Sequence, residues 1–143
     1  MRRTAAIAAL ALLAACAGGG AGPQDNGIDL ALAGQSQVSG EQLDRRVRQA
    51  SEQPLGSRKN PVRAEMPAGE RAYLARLRCS NGQPPSFQRM GSFGDGPYGN
   101  ILDGYSVNCG AAAPGQVEVF IDMYHRGHIE QQAVPGFTIL PSG

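Results

Sequence analysis

Clusters of glycine and proline divide the second half of the chain into short segments, and this division is the strongest constraint on its fold. The 143 residues include 20 glycines and 10 prolines. Their clusters separate three runs rich in β-branched and aromatic residues, at 87–93, 101–109 and 116–124. In the last run Val117, Val119 and Ile121 alternate with other side chains, which is the period of a strand. The segmentation therefore predicts a small antiparallel meander sheet.

The segment before this sheet carries one clear helix signal. Ser39 and Gln42 have the spacing of a capping box. Apolar side chains then recur at intervals of four and three residues, at Leu43, Val47 and Ala50. Residues 40–53 are therefore predicted to form a helix. The predicted fold class is a small α+β domain with one N-terminal helix and a meander sheet.

The residues between this helix and the meander are harder to interpret. Three prolines and two glycines within 54–69 predict an extended connection, with a short strand over 62–66. Tyr73 and Cys79 would fall on one apolar face of an extended chain, which favours a strand over 72–79. A helix is the competing interpretation, because alanine, leucine and arginine are good helix formers.

The N-terminus has the three parts of an export signal. Arg2 and Arg3 precede an apolar run over 5–15, and small residues lead to Cys16. The run of about 11 residues lies within the roughly 7–15 typical of a signal core and is shorter than the about 20 needed to span a bilayer. Residues 1–15 are therefore predicted to be a signal peptide.

The four residues Leu13-Ala14-Ala15-Cys16 resemble the lipobox of bacterial lipoproteins. The resemblance implies cleavage before Cys16, which would carry a thioether-linked diacylglycerol and an amide-linked acyl chain. Two or more chains anchor a protein stably, whereas one does so only marginally. Because Ala17 rather than aspartate follows, the resemblance also implies an outer-membrane lipoprotein that faces the periplasm rather than an inner-membrane one. The alternative is an ordinary cleaved signal that happens to contain a cysteine.

The segment 16–38 has the composition of a flexible tether between this anchor and the rest of the chain. Five glycines lie near its start, and little of it is apolar. The alternation of Ile28, Leu30 and Leu32 leaves open an edge strand that docks on the domain. The remainder, 39–143, is predicted to be a single domain.

Cys79 and Cys109 are the two cysteines of the predicted domain. In an exported protein such a pair is expected to form a disulfide, here closing a loop of about 30 residues. The alternatives are a reactive thiol or a metal ligand. The pair is not a CxxC motif and does not lie near both histidines in sequence. We therefore predict a disulfide-stapled domain without a metal site.

A glycine-rich loop formally matches a dinucleotide-binding pattern, with Gly94, Gly96 and Gly99 in G-x-G-x-x-G spacing. Pro97 interrupts the loop, and the run that follows is typical of a strand, whereas the fingerprint requires a helix there. We therefore expect no nucleotide and no other cofactor. A formal charge of +1 likewise argues against a nucleic-acid partner.

Three aromatic residues in or near this loop are candidates for a ligand or glycan groove: Phe93, Tyr98 and Tyr105. Their rings combine a large apolar body with, in the tyrosines, a polar tip, which suits such ligands. Packing in the domain core explains the three residues equally well.

Both histidines of the chain lie close together, just after an acidic residue of the last predicted strand. Imidazole and carboxylate together suit acid–base catalysis or metal binding, which makes Asp122, His125 and His128 the catalytic candidates. Their spacing crosses Gly127, so it fits neither a helix face nor a typical zinc motif. Surface or turn residues with local hydrogen bonds are the preferred interpretation.

The predicted domain also resembles a group of small exported bacterial proteins of unassigned function. The resemblance lies in the motifs at Asn60–Arg63, Gly69–Leu74, Gly96–Asp103, Met123–His125 and Val134–Phe137. It implies a single domain and no particular activity. We expect a lipid-anchored envelope protein with a non-enzymatic binding or structural role, whose partner is an envelope protein or a cell-wall component. The alternative is a small periplasmic hydrolase that uses His125 or His128 with a carboxylate.

Overall fold

The computed structural model describes residues 38–143, which form two helices and six strands. The predicted signal peptide, Cys16 and the alternation at 28–32 lie outside the described residues. In chain order the elements are α1 (Gly40–Ala50), β1 (Val62–Arg63), α2 (Met66–Arg76), β2 (Leu77–Arg78), β3 (Ser86–Asp95), β4 (Ile101–Asn108), β5 (Gln116–Asp122) and β6 (Thr138–Ile139). The mixture of helices and strands confirms the predicted α+β class.

The strands form a four-stranded sheet in the order β1-β5-β4-β3 and a separate two-stranded ribbon of β2 and β6. The three long strands follow one another as the antiparallel meander that the sequence predicts. β1, however, is parallel to β5, with Val62 opposite Ile121. The prediction of a purely antiparallel sheet is therefore wrong. After β1 the chain crosses through α2 to the far edge of the sheet, and the meander then returns until β5 lies beside β1 in the same direction.

A second helix, α2, replaces most of the strand that the sequence predicts over 72–79. Only Leu77 and Arg78 are extended, so the competing helical interpretation is correct for the rest. The positions of the buried residues explain why this segment is a helix. Counted from the first of them, they recur after three, four and seven residues, which is the spacing of one helix face: Glu70, Tyr73, Leu74 and Leu77. Because the first of these four residues is an acid, the helical period is not visible when only apolar residues are counted.

The helix before the sheet is confirmed as α1, although it ends at Ala50 rather than Gln53. Ser39 precedes it in an extended conformation, but its side chain forms no capping hydrogen bond with the described backbone. Arg46 on α1 donates a hydrogen bond to the carbonyl oxygen of Pro97 at 2.9 Å. This contact ties α1 to the glycine-rich loop between β3 and β4.

The main hydrophobic core lies between α2 and the meander sheet. Its buried members are Val62, Ala64, Tyr73, Leu74, Leu77, Cys79, Tyr105, Val107, Val119, Ile121, Val134 and Phe137. Cys79 and Cys109 form the predicted disulfide, with their Cα atoms 5.8 Å apart. The bridge therefore joins the end of β2 to the turn after β4. Within residues 38–143, neither helix is long and apolar enough to cross a membrane.

Candidate functional site

A cleft of about 680 Å³ lies between α2 and two later segments, 128–130 and 142–143. Its apolar wall includes Met66, Ala68, Ala72, Tyr73 and Ile129. Its polar lining includes Arg63, Glu65, Arg76, His128 and Glu130. A concave, mainly apolar surface with a few convergent polar groups is the usual form of a small-molecule site. This cleft is therefore the candidate functional site.

The first two turns of α2 form one wall of the cleft. Small residues at Ala68, Gly69 and Ala72 face it and leave the space open. Met66, the first residue of α2, has a φ of 56°, which is a strained conformation for a residue that carries a Cβ atom. Its backbone N–H is held by the carbonyl oxygen of Met123 at 2.8 Å. The cleft thus begins at a strained residue that is fixed to the chain beyond β5.

Arg76, in the last turn of α2, holds the opposite end of the cleft together. Its guanidinium donates hydrogen bonds to the carbonyl oxygen of Glu130, to that of Leu140 at 3.1 Å and to Oε1 of Gln131 at 3.3 Å. The same group lies 5.9 Å from the centre of the Tyr73 ring. These acceptors are uncharged, so none of them neutralises the guanidinium. Arg76 is thus a cation that is held in position and forms no ion pair with an acid of residues 38–143.

His128 and Glu130 form a pair at the cleft. Nε2 of His128 lies 3.5 Å from Oε2 of Glu130, while Oε1 accepts the backbone N–H groups of Gln131 and Gln132 at 2.9 and 3.0 Å. Burial acts to raise the pKa of Glu130, but the hydrogen bonds from His128 and from these two N–H groups outweigh it, so the pKa is lowered. Glu130 is therefore an anion that orients the imidazole.

The other two catalytic candidates, Asp122 and His125, do not line the cleft. Both are buried, and Nε2 of His125 lies 3.3 Å from Oδ2 of Asp122. The carboxylate also accepts hydrogen bonds from Nδ2 of Asn100 at 3.0 Å and from the N–H of Tyr124 at 3.0 Å. The structure thus brings Asp122 and His125 together as a buried network and places His128 separately, with Glu130 at the cleft.

The three aromatic residues proposed for a ligand groove are not brought together on one surface. Tyr98 is buried, with its ring edge-on to His125 at 5.3 Å. Tyr105 is buried in the core and donates a hydrogen bond from its hydroxyl to Oε2 of Glu70 at 2.8 Å. Phe93 packs edge-on against Phe120 and covers Gly104, the neighbour of Tyr105 in β4. Because adjacent strand residues face opposite sides, Phe93 and Tyr105 lie on different faces of the sheet.

Two further buried acids, Asp103 and Glu70, have partners on β3 and β4, of which Arg89 is itself exposed. Arg89 donates two hydrogen bonds to Asp103, at 2.6 and 2.7 Å, and the largest effect on its pKa is the rise caused by this contact. Glu70 is fully buried, and desolvation raises its pKa from 4.5 to about 7 although the Tyr105 hydroxyl acts in the other direction. The sequence analysis did not select Glu70 or Asp103. The sequence positions of these two acids could have indicated them. Glu70 falls on the side of a helix, and Asp103 on the side of a strand, where buried residues are expected.

Neither a metal site among the described residues nor a similarity to known proteins identifies the function. Within the part of the chain that the structure describes, no three His, Cys, Asp or Glu side chains come together as metal ligands would. The chain matches no known protein family, no curated protein and no solved structure.

Proposed function

We propose that the protein is a lipid-anchored binding protein of the bacterial cell envelope, located at the outer membrane and facing the periplasm. The anchor is the lipobox-like cysteine, Cys16, and the binding element is the cleft beside α2. The observation that carries the binding role is the cleft itself. Its volume of about 680 Å³ lies within the roughly 300–1,000 Å³ of known small-molecule sites.

The lining of the cleft supports binding more than catalysis. Most of the surface that it offers is apolar, and two of its large apolar residues, Met66 and Ile129, are 37% and 58% exposed. Exposed apolar groups around a concavity are a common mark of a ligand site. An envelope protein or cell-wall component that is recognised here would have to present a small apolar group. The group that binds in the cleft therefore has the size of a small molecule. It is either a free ligand or part of a larger partner.

Filling the cleft is expected to abolish binding of an apolar probe. In Ala72→Phe the new ring occupies the cleft, so the affinity for the neutral dye N-phenyl-naphthylamine should fall at least tenfold, or about 1.4 kcal/mol. The matched control is Ala75→Phe, which places the same ring on an exposed position of α2 outside the cleft. Fluorescence titration of the chain from Ala17 onward measures both. Equal affinities in the two variants would contradict a binding role for this cleft.

The alternative function is a small hydrolase, and the His128–Glu130 pair is the observation that favours it. A base oriented by a carboxylate is one half of a nucleophilic site. Ser142 also lines the cleft, but its hydroxyl oxygen accepts a hydrogen bond from Nε2 of Gln131 at 2.9 Å. The same protein preparation decides between the two functions. Turnover of p-nitrophenyl acetate that is lost in His128→Gln would overturn the non-enzymatic proposal.

The anchor is tested separately from the cleft. Cys16→Ala removes the sulfur atom to which the diacylglycerol would be attached, so the protein should lose incorporation of a labelled fatty-acid precursor and leave the membrane fraction. Cys109→Ala is the control, since it removes a cysteine of the domain and should retain the label. Undiminished labelling of Cys16→Ala would show that the lipoprotein interpretation is wrong.

A further inference from the structure

The first two turns of α2, residues 66–72, contain a single buried side chain. Among these residues only Glu70 is buried, and it is fully enclosed. The apolar side chains by which α2 packs into the core, Tyr73 and Leu74, come after this segment. Four residues of the segment line the cleft: Met66, Ala68, Gly69 and Ala72. This wall of the cleft is therefore held against the domain by a carboxylic acid rather than by apolar packing.

The ionised form of Glu70 lacks the hydrogen bonds that a buried carboxylate needs. Its Oε2 accepts a hydrogen bond from the hydroxyl of Tyr105 at 2.8 Å. Its Oε1 is buried and has no hydrogen-bond partner among residues 38–143. A buried charge with one donor is costly, whereas the neutral acid is much less so. The closed position of the wall therefore favours a protonated Glu70.

The other titratable groups around Glu70 do not supply the missing donor. Asp103 on β4 is an acid, and Arg89 on β3 donates two hydrogen bonds to Asp103. Arg71 on α2 is exposed, and Tyr124 beyond β5 is a phenol that stays neutral near pH 7. Desolvation is the largest effect on Glu70, and it raises the pKa to about 7.

We propose that Glu70 makes the cleft responsive to pH: when it ionises, residues 66–72 separate from the sheet, and when it is protonated they pack against it. This inference rests on the proposed binding role of the cleft and adds its regulation. Separation lets water reach the carboxylate, so the open state is favoured once the proton is lost. A segment with few buried apolar contacts is also the kind that opens by itself. The strained φ of Met66 acts in the same direction, because a released chain relaxes it.

Hydrogen–deuterium exchange of the chain from Ala17 onward provides the test. The backbone N–H groups of residues 70–72 exchange when this wall opens. Their protection, corrected for the intrinsic exchange rate, should fall by roughly tenfold or more between about pH 5.5 and about pH 7.5. At about pH 7.5 it should also be roughly tenfold or more below that of Val107 and Val119 in the meander, because the wall opens without the rest of the domain.

Glu70→Gln is expected to abolish this fall in protection, because an amide does not ionise. Glu118→Gln is the matched control, since Glu118 is exposed on β5 outside the cleft lining, and it should retain the fall. Tyr105→Phe keeps the test decisive if Glu70→Gln does not fold. It removes the hydroxyl that lowers the pKa of Glu70, so the fall should extend to higher pH. If Glu70→Gln or Tyr105→Phe kept the wild-type pH dependence, or if residues 70–72 were as protected as Val119, the inference would be overturned.

The neutral dye separates this inference from the proposed function. At about ten times its dissociation constant, N-phenyl-naphthylamine in the cleft should slow exchange at residues 70–72 about tenfold, since a ligand stabilises the state that binds it. Dye that bound without slowing this exchange would contradict the binding role of the cleft. The pH dependence of exchange in wild type and Glu70→Gln would still decide the role of Glu70.

Discussion

Loss of the disulfide is expected to lower the free energy of unfolding by about 3.6 kcal/mol. The bridge joins residues separated by 30 positions, and closing a loop of that length in the unfolded chain restricts its entropy by about this amount. The stability of a small domain is only about 5–15 kcal/mol, so the change is a large part of the total. Urea unfolding of Cys79→Ala/Cys109→Ala should show a lower midpoint and, because the unfolded chain without the cross-link is less compact, a steeper dependence on urea.

The reduced wild-type chain provides the matched control for this variant. It retains both sulfur atoms and differs only in the cross-link, so its unfolding midpoint should agree with that of the double variant. A reduced chain as stable as the oxidised one would show that the bridge does not constrain the unfolded state. A double variant much less stable than the reduced wild type would instead indicate lost packing at Cys79, which is buried in the core.

Replacement of Asp122 by alanine is expected to cost about 3–5 kcal/mol of stability. The carboxylate is fully buried and accepts hydrogen bonds from Asn100 and from the N–H of Tyr124, and it lies 3.3 Å from His125. Removing it leaves these donors buried opposite a cavity, which is the most costly way to disrupt such a group. Asp122→Asn keeps one oxygen acceptor and should cost less. Thermal unfolding of both variants measures the difference.

Asp95→Ala is the control for the loss of an aspartate that is not part of a buried network. Asp95 is exposed at the end of β3, so its replacement should change stability by no more than about 0.5 kcal/mol. If Asp122→Ala unfolded at the wild-type temperature, the network around Asp122 and His125 would not be structural. Asp122 and His125 would then again be catalytic candidates, as His128 is.

The meander could be predicted from sequence because its determinants are local. The alternation of Val117, Val119 and Ile121 and the turns between the runs are each contained in about ten residues. β1 could not be predicted as a parallel strand, since its pairing with Ile121 joins positions almost 60 residues apart and depends on the path of the chain. A strand was favoured over the helix α2 for a different reason, because the buried residue that would reveal the helical period is an acid, Glu70.

The candidate site was less accessible to sequence reasoning than the fold. Its lining comes from α2, from 128–130 and from the last two residues, and no motif links these segments. His128 was selected for its chemistry, but the sequence paired it with Asp122 and His125, whereas the structure pairs it with Glu130. Arg76 lies in the segment 72–79, for which the sequence favours a strand. Its role depends on the helix and on three distant hydrogen-bond acceptors, which a local pattern does not contain.

Between about pH 4.5 and about pH 7, folding of this domain is expected to take up a proton at Glu70. An ordinary glutamate is ionised above about pH 4.5, whereas the buried Glu70 keeps its proton up to about pH 7. Between these values the folded chain binds more protons at this site than the unfolded chain, so its contribution to stability decreases as the pH rises and levels off above pH 7. Most carboxylates that accept hydrogen bonds act in the opposite direction. Glu70 therefore stabilises the domain more in mild acid than at neutral pH.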